Sequence, residues 1–135
     1  MELQVDEVYD GTPSCVKTAR LTTKAFLARV GTERLARIPA DTVSGAQLVV
    51  SELVTNAVRH AEGTCGMNLA YRGGHGVEIT VWDKASGSLT AREWDPDRPG
   101  GFGLEIVRTI CGPLTITPTQ HGKQICVRMP LPQAA

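Results

Sequence analysis

Apolar side chains recur at every third or fourth position between residues 41 and 61, where Ala46, Val49, Val50, Leu53, Val54, Ala57, Val58 and Ala61 make a continuous stripe. That spacing is the period of a helix with one face in a core. It predicts a helix from near Asp41 to Ala61, closed by Gly63. A looser stripe of Val16, Ala19, Phe26, Leu27 and Val30 predicts an earlier helix from Pro13 to Val30, with Ser14 placed to cap it and Gly31 to end it. The first nine residues alternate weakly, with Leu3 and Val5 on one side, and allow a short strand before the turn signal DGTPS.

Beyond Gly63 the period shortens to two. CGMNLAYR and VEITVW read as two strands joined at GGHG, with Val77, Ile79 and Val81 on one face of the second. Hydrophobic periodicity vanishes between residues 84 and 101, where Gly, Ser, Pro and Asp accumulate. So long an irregular stretch in a small domain is usually functional. Leu104, Val107 and Ile110 then mark a short helix ending at Cys111–Gly112, and LTIT and KQICVRMPL form a final hairpin across PTQHG. Two helices, a hairpin, a loop with a helix and a second hairpin predict an α+β fold. It is a two-layer sandwich with helices on one face of a mixed, mainly antiparallel sheet.

Composition narrows the function. The 135 residues are enough for a single domain spanning 1–135 with its own core, and the 41% hydrophobic and 21% charged fractions are those of an ordinary globular chain. Fourteen basic residues balance fourteen acidic ones, so no cationic field gathers phosphate backbones, which argues against direct nucleic-acid binding. MELQVDEVYD lacks a basic segment followed by an apolar one, and no apolar run approaches membrane-spanning length. No membrane association and a cytoplasmic location are therefore expected. Cys15, Cys65, Cys111 and Cys126 are widely spaced, without a C-x-x-C pair, and read as small buried hydrophobes rather than a metal or redox motif.

Three features carry candidate chemistry. In SELVTNAVRH, Glu52 and Asn56 are four residues apart on the predicted long helix, so they project side by side, about 40° and ~6 Å apart. A carboxylate there can polarise a hydroxyl or water, and an amide oxygen is a hard neutral ligand suited to Mg²⁺. Asp83 closes the strand VEITVW, with Gly87 four positions on, and a carboxylate at such a strand end can accept a hydrogen bond from an amine on a base. In PGGFGLEIV, glycines 100, 101 and 103 precede a helix, where backbone N–H groups and the helix N-terminus favour phosphate. Each feature also has an ordinary explanation: a solvated polar stripe, a turn, a hinge before a helix.

Taken in order, E-x-x-x-N on a long helix, strand-Asp-turn-Gly, and a loop leading to G-x-G-L resemble the GHKL superfamily of ATP-binding domains. SELVTNAVRHA and SCVKTARLTTKAFLARV look most like its small bacterial anti-sigma serine/threonine kinases. The resemblance covers nearly the whole chain. It implies ATP and Mg²⁺, with Glu52 as the acid/base group, Asn56 as the metal ligand, Asp83 on the adenine amine and Gly87 opening the base pocket. Gly101, Gly103 and Leu104 would form the phosphate segment, and residues 84–101 the ATP lid. The implied activity is phosphorylation of a small antagonist protein together with binding of a sigma factor, in a homodimer. Three departures stand out: the run Asp83-Lys84-Ala85-Ser86-Gly87 lacks the first glycine of the relatives' turn, Phe102 replaces an arginine, and Gln124 stands where a hydroxyl on the late strand often supports the aspartate. They favour an alternative, a nucleotide-responsive protein-binding module without catalysis.

Overall fold

Residues 3–60, 63–84 and 102–132 are described by the computed structural model. They form β1 (Gln4–Tyr9), α1 (Cys15–Glu33), α2 (Ala40–His60), β2 (Cys65–Tyr71), β3 (Val77–Asp83), α3 (Phe102–Cys111), β4 (Thr115–Pro118) and β5 (Lys123–Met129). The strands make one sheet in the order β1-β2-β3-β5-β4. All four pairings are antiparallel, without the parallel pair that a mixed sheet would contain.

Because side chains alternate along a strand, the register lays down rows across the sheet. Val5, Leu69, Ile79 and Val127 form one row, and Met67, Val81, Ile125 and Ile116 line another. The next row runs Tyr9, Cys65, Asp83, Lys123. These rows face the helices and are buried or nearly so, whereas Asp6, Asn68, Thr80 and Arg128 point to the other face. Helix α2 is the centre of the helical layer: it packs against α1, α3, β2 and β3. Its stripe Val49, Val50, Leu53, Val54 and Ala57 is at most 1% exposed. Full burial stabilises each such aliphatic side chain by about 1.5–3 kcal/mol.

Element ends differ from expectation in α1. Ser14 has helical dihedrals (φ −64°, ψ −21°) and makes no capping hydrogen bond. The entry turn is organised instead by Asp10, whose Oδ1 accepts from the Thr12 N–H (2.9 Å) and hydroxyl (2.7 Å). At the other end the helix runs through Gly31 to Glu33, because glycine permits a helix end without forcing one. The Arg34 N–H closes the last turn on the Val30 carbonyl, Arg29 pairs with Glu33 across that turn, and the left-handed residue is Leu35 (φ 52°). In α3 the expectation holds: Gly112 (φ 82°) donates back to the Arg108 carbonyl at 2.8 Å.

Leu53 lies between Glu52 and Asn56 and is wholly buried, so it anchors the segment that displays both. Leu53→Ala is expected to cost about 2–5 kcal/mol, read in urea unfolding as a lower midpoint at unchanged slope; a loss below about 1 kcal/mol would contradict this packing.

Candidate functional site

Two backbone approaches assemble the site. At the start of α3, a Cβ added to Gly103 would sit 2.5 Å from Glu52 Oε2. Glycine there lets the first turn of α3 lie against the Glu52 carboxylate, and Leu104, 6% exposed, fixes that turn in the core. The free N–H groups and positive end of a helix therefore face an acid on α2. At the other approach, a Cβ on Gly122 would overlap the Asp83 carbonyl. The turn before β5 is thereby held against the end of β3.

Asn56 lies one turn beyond Glu52 on α2. Its Nδ2 is buried and has no hydrogen-bond partner among the described residues, a condition that costs about 1–3 kcal/mol if nothing satisfies it. The amide can turn to present either N–H to a phosphate oxygen or Oδ1 to a metal. Among the described residues no three His, Cys, Asp or Glu side chains cluster as a metal cage. Mg²⁺ fits such a donor set, because it usually takes one or two protein oxygens and completes its shell with phosphates and water.

Asp83 sits at the same end of the sheet. The chain leaves α2 at His60, turns through Gly63 (φ 106°) and enters β2 at Cys65, which is Asp83's partner in register. On its other side Asp83 faces Lys123, whose Nζ lies 2.9 Å from Oδ2, with both side chains only 4% exposed. This corrects the expectation for Gln124. Gln124 pairs with Trp82 on the opposite face, and the group that supports the aspartate is the ammonium of Lys123. The signal was in the alternation: counting back from Val127 and Ile125 puts residue 123 in the core and 124 outside.

The structure thus joins Glu52 with Gly103 and Leu104, and places Asn56 beside them and Asp83 at the neighbouring strand end. Gly87, Gly101 and the lid residues 85–101 lie outside the described residues. A separate cleft among Arg34, Arg37, Tyr71, Gly74 and Leu131 lies at the far end of the sheet and contains none of these groups. The expectation of four buried cysteines holds for Cys15 and Cys65, whereas Cys111 and Cys126 are only partly buried. All four are free. Burial, with smaller effects from Cys15 and Asp83, pushes the Cys65 thiol up to about 12, and burial pushes Cys111 up to about 11.

Comparison with known proteins gives the family. The sequence model of the histidine kinase-like ATPase domain matches residues 11–129, and the chain belongs to that family. No curated protein matches the chain. Among solved structures, the chain is similar to the RsbU and RsbW domains of Rv1364c from Mycobacterium tuberculosis, with a TM-score of 0.72 and 20% identity over 98% of this chain. It is also similar to the histidine kinase domain of a blue-light activated histidine kinase from Erythrobacter litoralis, with a TM-score of 0.57 and 20% identity over 81% of this chain. The matches cover only 34% and 61% of those longer chains. They show that the fold is shared. No helix among the described residues is long and apolar enough to cross a membrane.

Thiols with raised pKa values inside a core are poor nucleophiles. Alkylation by iodoacetamide at pH 8 should leave Cys15 and Cys65 unmodified in the native protein and modify both after unfolding, as read by peptide mass spectrometry; native labelling of Cys65 would contradict its placement.

Proposed function

We propose that the chain binds ATP with Mg²⁺ where α2, β3 and α3 converge, and transfers the γ-phosphoryl group to a Ser or Thr of a small antagonist protein. The observation that carries this reading is the unpartnered, buried Asn56 amide one turn from Glu52, with Glu52 held against the N-terminus of α3. Nucleotide triphosphate offers what the Asn56 amide lacks, an oxygen to accept from it, and the N–H groups at the start of α3 favour phosphate beside it. Mg²⁺, held by Asn56 together with phosphate oxygens and water, would offset phosphate charge as the transferred group departs. Glu52 receives the proton of the incoming hydroxyl and orients it in line. Asp83 accepts from the base.

A protein partner is part of this reading. Membership in the histidine kinase-like ATPases and similarity to a chain that carries an RsbW domain support a protein as phosphoryl acceptor. A sigma factor as second partner and a homodimeric state complete the proposal. The second reading, nucleotide-responsive binding without transfer, is favoured by one observation, the Lys123 ammonium already engaged with Asp83.

Titration calorimetry tests the site. ATP binding should weaken at least about tenfold in Asp83→Asn, as expected when a buried charge-assisted hydrogen bond is lost, and Asn56→Ala should erase the Mg²⁺ dependence. Transfer tests the activity. With an antagonist protein and labelled ATP, Glu52→Ala should lower phosphoprotein formation by about 10²-fold or more while leaving nucleotide affinity within a few-fold. A stable complex with no phosphoprotein from the unaltered chain would establish the binding module instead.

Gly103→Ala separates positioning from folding. The one close clash of its new methyl is with Oε2 at the end of the Glu52 side chain, at 2.5 Å, so stability should change by less than about 1 kcal/mol. Transfer should nevertheless fall about tenfold or more as the carboxylate is displaced, and thermal melting beside the transfer assay reads both.

A further inference from the structure

Asp83 does not stand alone at the base end of the site. A lone carboxylate can only accept hydrogen bonds. It matches the 6-amino group of adenine and repels the 6-oxo oxygen of guanine or hypoxanthine. In this chain the carboxylate shares its buried position with the ammonium of Lys123, 2.9 Å away. An ammonium has three N–H donors, and no described residue other than Asp83 accepts from this one. Among the described residues, two donors of a side chain 4% exposed therefore have no acceptor.

Lys123 is not a surface lysine folded inward by chance. It faces Asp83 in the β3–β5 register, and the Gly122 backbone before it lies so close to the Asp83 carbonyl that no side chain fits between them. The other neighbour of Asp83 in the row is Cys65, a thiol that burial keeps protonated and uncharged. The row thus presents one anion and one cation side by side at the strand end.

We propose that Lys123 is a specificity-determining residue that opens the nucleotide site to 6-oxopurine nucleotides alongside adenine nucleotides. The inference rests on the placement of a purine at Asp83 proposed above. An adjacent acceptor and donor complement the N1–H and O6 of guanine: Asp83 accepts from N1–H, and Lys123 donates to O6 in a charge-assisted hydrogen bond. Lysine to guanine O6 or N7 is a common recognition contact. The same two groups serve adenine, with N6–H donating to Asp83 and Lys123 donating to a ring nitrogen. The ammonium removes the repulsion that would otherwise exclude the oxo group.

The test is the ratio of ADP to GDP affinity with Mg²⁺, measured by titration calorimetry on the unaltered chain, Lys123→Met and Lys123→Thr. Lys123→Thr keeps a hydroxyl that can donate to Asp83, so it remains informative if the methionine variant fails to fold by circular dichroism. The unaltered chain should bind GDP within tenfold of ADP. Either substitution should weaken GDP at least tenfold more than ADP, a change in ratio that a merely structural lysine would not produce. An ADP preference above tenfold in the unaltered chain, or a ratio unmoved by both substitutions, overturns the inference. Asp83→Asn separates the two readings. If it weakens ADP while GDP never binds, only the role of Lys123 falls; if neither nucleotide binds the unaltered chain, or neither responds to Asp83→Asn, the base placement falls with it.

Discussion

Helix α2 can bury Val49, Val50, Leu53, Val54 and Ala57 against β2, β3 and its neighbouring helices in only one rotational setting. A turn of 100° in either direction would put Val49 or Leu53 into water, at about 1.5–3 kcal/mol for each side chain exposed. That setting fixes where the half-buried residues at the margin of the stripe point. Glu52 reaches the first turn of α3, and Asn56 is carried into a position with no partner for its Nδ2 among the described residues. The site is thus a by-product of core packing. The same contacts that stabilise the domain hold the acid against the start of α3 and the amide one turn away from it.

The buried ion pair obeys a different economy. Two charges withdrawn from water gain little net stability, and an apolar pair of similar volume often does as well or better. Removing one member is costly because the other is left buried and uncompensated. The pair between Asp83 and Lys123 is therefore poorly explained as a device for folding. On the reading proposed above, it is explained by what the two groups offer to a ligand at the strand end, in the row that follows the apolar rows of Leu69, Ile79, Val127 and of Met67, Val81, Ile125.

Most of the architecture was legible because the two periods are clean. The 3.6-residue stripe of α2 and the two-residue alternation of β2, β3 and β5 leave little freedom in layer or register. What misled was local. Ser14 and Gly31 have the residue types of helix ends, yet Asp10 organises the first turn and Leu35 carries the left-handed conformation. Glu52, Asn56 and Asp83 could be picked out from spacing, but the contact between Glu52 and Gly103 could not, since it joins residues far apart in the chain. Lys123 was missed although alternation alone assigns it to the core, because a lysine is so rarely buried that residue type outweighed position.

The departures from the family pattern fall unevenly, and their distribution bears on function. The phosphate end keeps its acid, its amide and a glycine at the helix start in mutual contact or adjacency. The base end departs at Ala85, where the relatives' turn has its first glycine, and at the supporting position, which Lys123 takes, whereas Phe102 stands at the phosphate end in place of an arginine. On the function proposed above, the first group would serve phosphoryl chemistry and the second nucleotide choice, and the two are carried by different elements: α2 and α3 on one side, β3 and β5 on the other. Change at one end can therefore alter which nucleotide is read without dismantling the arrangement that handles its phosphates.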